Sequence, residues 1–193
     1  VLDMSRIGPV LIGDRSDLGD GPPVTAIIMQ NTNPAVVAPE SAKVNAGLRR
    51  EDLYLCVHEQ FMTDTAKLAD IVLPATTFME HDDFYVGGGH SYVQIGAKIV
   101  EPFEEAHDNH FVVCELAKRL GAAHRGFDMS VWEIIDETFQ SAGWPSADEV
   151  HKMRWYDCAP NFEDGHFLSG FKTADQKFHF KVDWPAIGTM GAS

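Results

Sequence analysis

The chain has 193 residues, 45% hydrophobic and 23% charged, a globular composition that excludes disordered and collagen-like classes. Lys and Arg number 15 against 29 Asp and Glu, a net charge of −14 at pH 7. So acidic a surface repels phosphate backbones and argues against nucleic-acid binding through a general basic face. No apolar run approaches the roughly 20 residues of a membrane span.

The three cysteines, Cys56, Cys114 and Cys158, form no Cys-x-x-Cys pair, so neither a disulfide framework nor a zinc or iron–sulfur knuckle is indicated. Cys56 and Cys114 lie in apolar stretches and read as buried structural thiols. That fits a reducing, cytoplasmic compartment, with a periplasmic one left open. The start, Val1-Leu2-Asp3-Met4, reads as the middle of a helix and has no initiator Met, as in a segment of a longer polypeptide.

In chain order, Ile7 to Gly21 is a mixed segment, and Gly21-Pro22-Pro23 marks a boundary. Val24–Gln30 is a near-continuous apolar run of strand length, suited to a parallel sheet covered on both faces. Pro34 ends it by keeping Asn33 out of helical geometry. Pro39–Leu48 predicts a helix with Gly47 near its end, and Leu53–Val57 a second buried strand. Thr63–Ala69 predicts a short helix capped by Thr63, and Ile71–Leu73 a third strand closed by Pro74. Alternating strands and helices predict an α/β fold: a mostly parallel, Rossmann-like sheet with helices on its faces.

After Pro74 the pattern changes. Phe78–His90 reads as irregular and Ser91–Ile95 as a strand. Asn109–Leu120 predicts an amphipathic helix stopped by Gly121, and Met129–Phe139 repeats that pattern. From Trp144 periodicity is poor until Lys177–Val182, which alternates as a strand. The expected division is a leading segment from a preceding domain at 1–22 and an α/β dinucleotide-binding core at 23–126. A helix and less regular α+β extension, ending in a strand, fills 127–193.

Nine histidines invite a metal reading, and His81, Asp82, Asp83 and His90 would serve a metal-dependent hydrolase. No second half-site at zinc spacing accompanies them, so no metal ligand is assigned. A Gly-x-Ser-x-Gly elbow, a Walker loop and a Gly-x-Gly-x-x-Gly fingerprint are all absent from the sequence. No catalytic residue is assigned.

What remains are the strand ends, where open α/β sheets bind ligands. The first strand delivers Asn31-Thr32-Asn33-Pro34. The second delivers His58-Glu59-Gln60 and then the Thr63 helix start. Glu59 stands where a dinucleotide fold meets a ribose or base edge, and Thr63 where a phosphate would rest. Equally, Thr63 can simply cap its helix and Asn33 simply make a turn. Position alone leaves both readings open.

Asn33-Pro34, His58-Glu59-Gln-Phe-Met-Thr63-Asp-Thr65-Ala66, Ala69-Asp70-Ile-Val-Leu-Pro74-Ala75, Glu80, Gly89-His90, Gln94 and the Leu116…Gly121 helix together resemble the molybdopterin oxidoreductases of the dimethyl sulfoxide reductase family. The likeness is strong over about half the chain and returns faintly near Phe171–Phe180. It implies the α/β domain of a catalytic subunit that binds a molybdopterin guanine dinucleotide carrying molybdenum or tungsten. Carried over, Asn33 and Pro34 approach the dinucleotide, His58 and Glu59 meet its guanosine, and Thr63 and Thr65 lie near ribose or phosphates.

The resemblance also implies partners: the remaining domains of the same subunit, and electron-transfer subunits. The family's amino-terminal cysteine motif for an iron–sulfur cluster is not in this sequence. The isolated segment is expected to hold no cofactor and to show no turnover. Two glycines of the family pattern are also replaced. Pro102-Phe-Glu-Glu-Ala106 stands for Pro-x-Gly-Glu-Ala, and Thr173-Ala-Asp-Gln-Lys177 for Thr-x-Ser-Gly-Lys. The rival readings are a stand-alone nucleotide-binding α/β module and the metal-dependent hydrolase.

Overall fold

The computed structural model describes residues 3–181. The described residues divide into two compact units, the first from 3–75 with Glu105–Asn109, the second from Thr76–Glu104 and 110–181.

The first unit holds helix α1 (Ile7–Leu11), strand β1 (Ala26–Gln30), helices α2 (Pro34–Val37) and α3 (Ser41–Leu48), and strands β2 (Tyr54–Glu59) and β3 (Ile71–Pro74). The strands form a parallel sheet of order β1-β2-β3. Its register puts Met29, Val57 and Val72 in one row and Ile28, Cys56 and Ile71 in the next. The first row faces a core of Leu11, Met29, Ala35, Val44, Leu48, Leu55 and Val57. Pro34 starts α2 at a position where the missing N–H is no loss.

The predicted parallel sheet is therefore present, with one difference. The apolar runs suggested cover on both faces. The described helices cover one, because β2 returns to β3 through only a 3-10 turn at Ala66–Leu68. Helix α1, within the 1–22 segment, supplies Leu11 to this core and crosses α3 closely. Gly47 lies in the last turn of α3, near the helix end as expected, and at that crossing.

Asp70 closes the sheet where β3 begins. Its carboxylate accepts from the Leu55 N–H at 2.8 Å, and its own N–H donates to the Leu55 carbonyl at 2.9 Å. The register starts at Cys56↔Ile71, so Leu55 reaches no residue of β3 and Asp70 takes both its groups. Asp70→Ala is expected to cost about 1–2 kcal/mol by stranding that N–H. The check is the urea midpoint of the 193-residue chain.

The second unit holds an antiparallel sheet of β4 (Asp83–Val86), β5 (Tyr92–Gly96) and β6 (Tyr156–Asp157), with helices α4 (Asn109–Leu120), α5 (Val131–Ser141), α6 (Ala147–Met153) and α7 (Phe162–Gly165). Its core is Val93, Ile135, Phe139, Ala147 and Val150. Phe139 meets Phe84 and Trp144 edge-on, with centroids 5.3 and 5.4 Å apart.

Strand β4 falls in the stretch read as irregular. Gly87–His90 lies in the turn that returns it to β5. Helix α6 lies in the segment of poor periodicity. What sets it is a capping box, Ser146 with Glu149, like Ser130 with Glu133 on α5. Lys177–Lys181 form no strand, and Val182 lies outside the described residues.

Among the cysteines, Cys56 is buried, and burial pushes its thiol pKa up. Cys114 was expected to be buried; it is only half-buried, at 3.4 Å from His110 Nε2.

Both family glycines that this sequence replaces leave their mark on the backbone. Glu104 has φ 47° and Gln176 φ 57°, the left-handed region that glycine enters without strain. The turn at Thr173–Gln176 is kept, with the Gln176 N–H donating to the Thr173 carbonyl at 3.0 Å. Glu104→Gly is accordingly expected to stabilise the chain by about 1 kcal/mol, against the usual direction for an added glycine. A fall in melting temperature would refute it.

Candidate functional site at the strand ends

The carboxyl ends of β1 and β2 are joined by a short polar chain. Asn33 Oδ1 accepts from the Thr65 N–H at 3.1 Å and from the Thr65 hydroxyl at 2.8 Å. The Thr65 oxygen in turn accepts from the Ala35 N–H at 3.1 Å. Thr65 is fully buried, so this hydroxyl locks the two loops together. Thr63 accepts from the Ala66 N–H at 3.2 Å at the start of the 3-10 turn, whose N-cap position is held by Thr65. Asn33 and Thr63 thus each make bonds of the kind that a turn and a cap require.

His58 is also fully buried. Its Nε2 lies 2.9 Å from the His107 carbonyl oxygen, which can only accept, so Nε2 carries the hydrogen. That leaves Nδ1 to accept from the Gln30 side-chain amide at 3.2 Å. His58 thereby fixes the Glu105–Asn109 segment beside the sheet, where the His107 N–H donates to the Pro74 carbonyl at 3.1 Å.

Glu59 ends β2 half-buried, and its Oε1 accepts from the Gln60 N–H at 2.8 Å. Asn31, at φ 49°, turns the chain out of β1 and points its amide at Asn109 Oδ1, 3.4 Å away.

Of the six residues singled out in the sequence, Asn33, Pro34, Thr63 and Thr65 are brought together. His58 and Glu59 stand side by side, one facing inward and one at the rim. Pro34, His58 and Thr65 are buried framework. The groups at the surface are Glu59, Asn31, Gln60 and Asn109, with Phe61 exposed beside them. Asn109 was missed because its pairing with Asn31 spans 78 residues of sequence.

Of the proposed hydrolase residues only His81 and Asp83 approach each other, at 3.8 Å. His81 Nδ1 lies 2.7 Å from the Thr76 hydroxyl, Asp82 accepts from the Lys98 N–H, and His90 accepts from the Tyr92 N–H. Among the described residues, no group of three or more His, Cys, Asp or Glu side chains could hold a metal ion. Glu80 is structural too: it accepts from the Thr77 N–H and hydroxyl and from the Phe103 N–H. Those bonds, led by the Thr77 N–H, hold its carboxyl below the ordinary glutamate pKa.

A parallel sheet with polar residues gathered at its strand ends is the setting of a dinucleotide site. The family model for molybdopterin oxidoreductases matches residues 17–119. The chain belongs to this family. A Bacillus subtilis relative named Probable oxidoreductase YoaE is 44% identical over 148 residues, 77% of this chain and 21% of its own length. A nitrate reductase of Symbiobacterium thermophilum is 35% identical over 125 residues, 65% of this chain and 16% of its own length.

The solved structure of acetylene hydratase from Pelobacter acetylenicus shares the fold, with a TM-score of 0.67. It is 24% identical and covers 89% of this chain, which matches 23% of it. The chain thus spans about a fifth of the length of these relatives. The α/β fold and family read from the sequence stand. No helix among the described residues is long and apolar enough to cross a membrane.

Proposed function

We propose that this chain is part of the catalytic subunit of a molybdenum or tungsten oxidoreductase, in which its strand ends help hold a molybdopterin guanine dinucleotide. Partner surfaces are the remaining domains of that subunit and, beyond them, electron-transfer subunits. The observation that supports the reading is Glu59, a carboxylate at the carboxyl end of the central parallel strand, flanked by the exposed amides of Asn31 and Gln60.

The donor set suits the guanosine end of such a cofactor. A carboxylate accepts from a guanine edge or from ribose hydroxyls, and side-chain amides both donate and accept. The strand-end group itself carries no cation for a pyrophosphate, and nearby Lys67 is paired with Asp64. Glu59, Asn33 and Thr63 are assigned to the cofactor's surroundings, with Pro34, His58 and Thr65 holding the loops that carry them. When bound, the cofactor supplies two-electron transfer with movement of an oxygen atom or hydride, and these residues position it.

The test is Glu59→Ala in the full-length subunit. A charge-assisted bond to a ligand contributes about 1.5–3 kcal/mol, so cofactor content after dialysis should fall about tenfold or more. The melting temperature of the 193-residue chain should not move. Unchanged cofactor content overturns the assignment of Glu59.

A further inference from the structure

The second unit holds a cavity of about 530 Å³ between α4, α5 and the 3-10 turn Arg125–Phe127. Small-molecule sites span roughly 300–1,000 Å³, so the volume suits one. Apart from His110 and Val113 its lining lies beyond residue 119, where the family match ends, and it shares no residue with the strand-end group. Its wall is tied in place by the two backbone groups of Gly126. The His110 Nε2–H donates to the Gly126 carbonyl at 3.2 Å, and His124 Nδ1 accepts from the Gly126 N–H at 3.1 Å. An ion pair from Arg125 to Glu137 joins the same turn to α5.

The lining restricts what can enter. Phe127, Met129 and Ile134 are half-buried, and with Val113 they make an apolar floor that carries a ring and a thioether. Both pack well against another aromatic ring. Arg125 and Glu137 cancel each other, so a carboxylate would face Glu137 and an ammonium group would face Arg125. Two further groups set the polarity. Because His124 accepts at Nδ1, its Nε2 carries a hydrogen to donate. Thr138 gives its own hydrogen to the Ile134 carbonyl at 2.7 Å, which leaves its oxygen to accept. One hydroxyl on an aromatic ring answers both.

We infer that this cavity is a binding site for a neutral phenol, its ring on Phe127 and Met129 and its hydroxyl bonded to His124 and Thr138. The site is separate from the strand ends and stands whether or not they hold a cofactor.

The experiment is calorimetric titration with 2-naphthol, on the 193-residue chain and on the full-length subunit, with the Met129 methyl resonance of the chain followed by NMR. The dissociation constant should be on the order of 0.1–1 mM, as for a ligand of this size. The Met129 resonance should shift, because a bound ring lies against it. Naphthalene-2-carboxylate should bind at least about tenfold more weakly, and Thr138→Val should weaken 2-naphthol about tenfold. Absence of saturable binding overturns the site, and so does binding that leaves Met129 unmoved. Equal affinity for the carboxylate, or for the Thr138→Val chain, overturns the phenol as its ligand. Binding by the 193-residue chain that is lost in the full-length subunit also overturns it, since a segment of the subunit would then be the occupant.

Discussion

Asn33→Ala is expected to destabilise the first unit by about 3 kcal/mol. Asn33 Oδ1 is the acceptor for both the N–H and the hydroxyl of Thr65. Thr65 is 0% exposed, so neither donor can turn to water when the amide is removed. A buried donor left unsatisfied costs about 1–3 kcal/mol, and here two are stranded together. The loops after β1 and β2 then lose their link, and Glu59 loses the frame that sets it. Cofactor content of the full-length subunit should fall with stability, unlike Glu59→Ala, which moves content alone. Asn33→Asp keeps an acceptor oxygen and should retain most of the stability. Urea unfolding of the three chains decides it, and an alanine variant within about 0.5 kcal/mol of wild type would show that Thr65 finds other partners.

Gly47→Ala should cost about as much, for a steric reason. Alanine favours a helix interior over glycine by about 1 kcal/mol, so propensity alone predicts a stabilised α3. A Cβ at residue 47, however, would stand 2.3 Å from Leu11 Cβ. No side-chain rotation relieves a contact between two Cβ atoms, so α1 and α3 must move apart. Gly8 on α1 shows how tight the crossing is, since its Cβ would meet Lys43 Cβ at 3.1 Å. Leu11 is 1% exposed and lies in the core, so the shift propagates into packed side chains. Overpacking of this kind costs about 1–3 kcal/mol, and more when backbone must move. A Gly47→Ala chain as stable as wild type in urea would mean the helices separate freely.

The sequence by itself determined the parallel sheet. Val24–Gln30, Leu53–Val57 and Ile71–Leu73 are short apolar runs between turn residues, and such runs have few alternatives. Family membership was also legible, because its motifs are local in sequence. So was the strand-end location of Asn33 and Glu59, since Pro34 and the end of the apolar run fix where each strand stops.

Other features depended on contacts between residues distant in sequence. The bond from Thr65 to Asn33 spans 32 residues, and the inward turn of His58 rests on a carbonyl 49 residues away. That Gly47, near the end of α3, is also a packing contact was not legible, because its partner, Leu11, lies 36 residues away in a segment that periodicity assigned elsewhere. Strand β4 gives no strong pattern of its own, and pairing with β5 makes it a strand. The two sheet faces carry equally apolar residues, so hydrophobicity could not tell them apart. Only the path of the chain, which lays α1 and α3 on one side, decided which face is covered and which is left open.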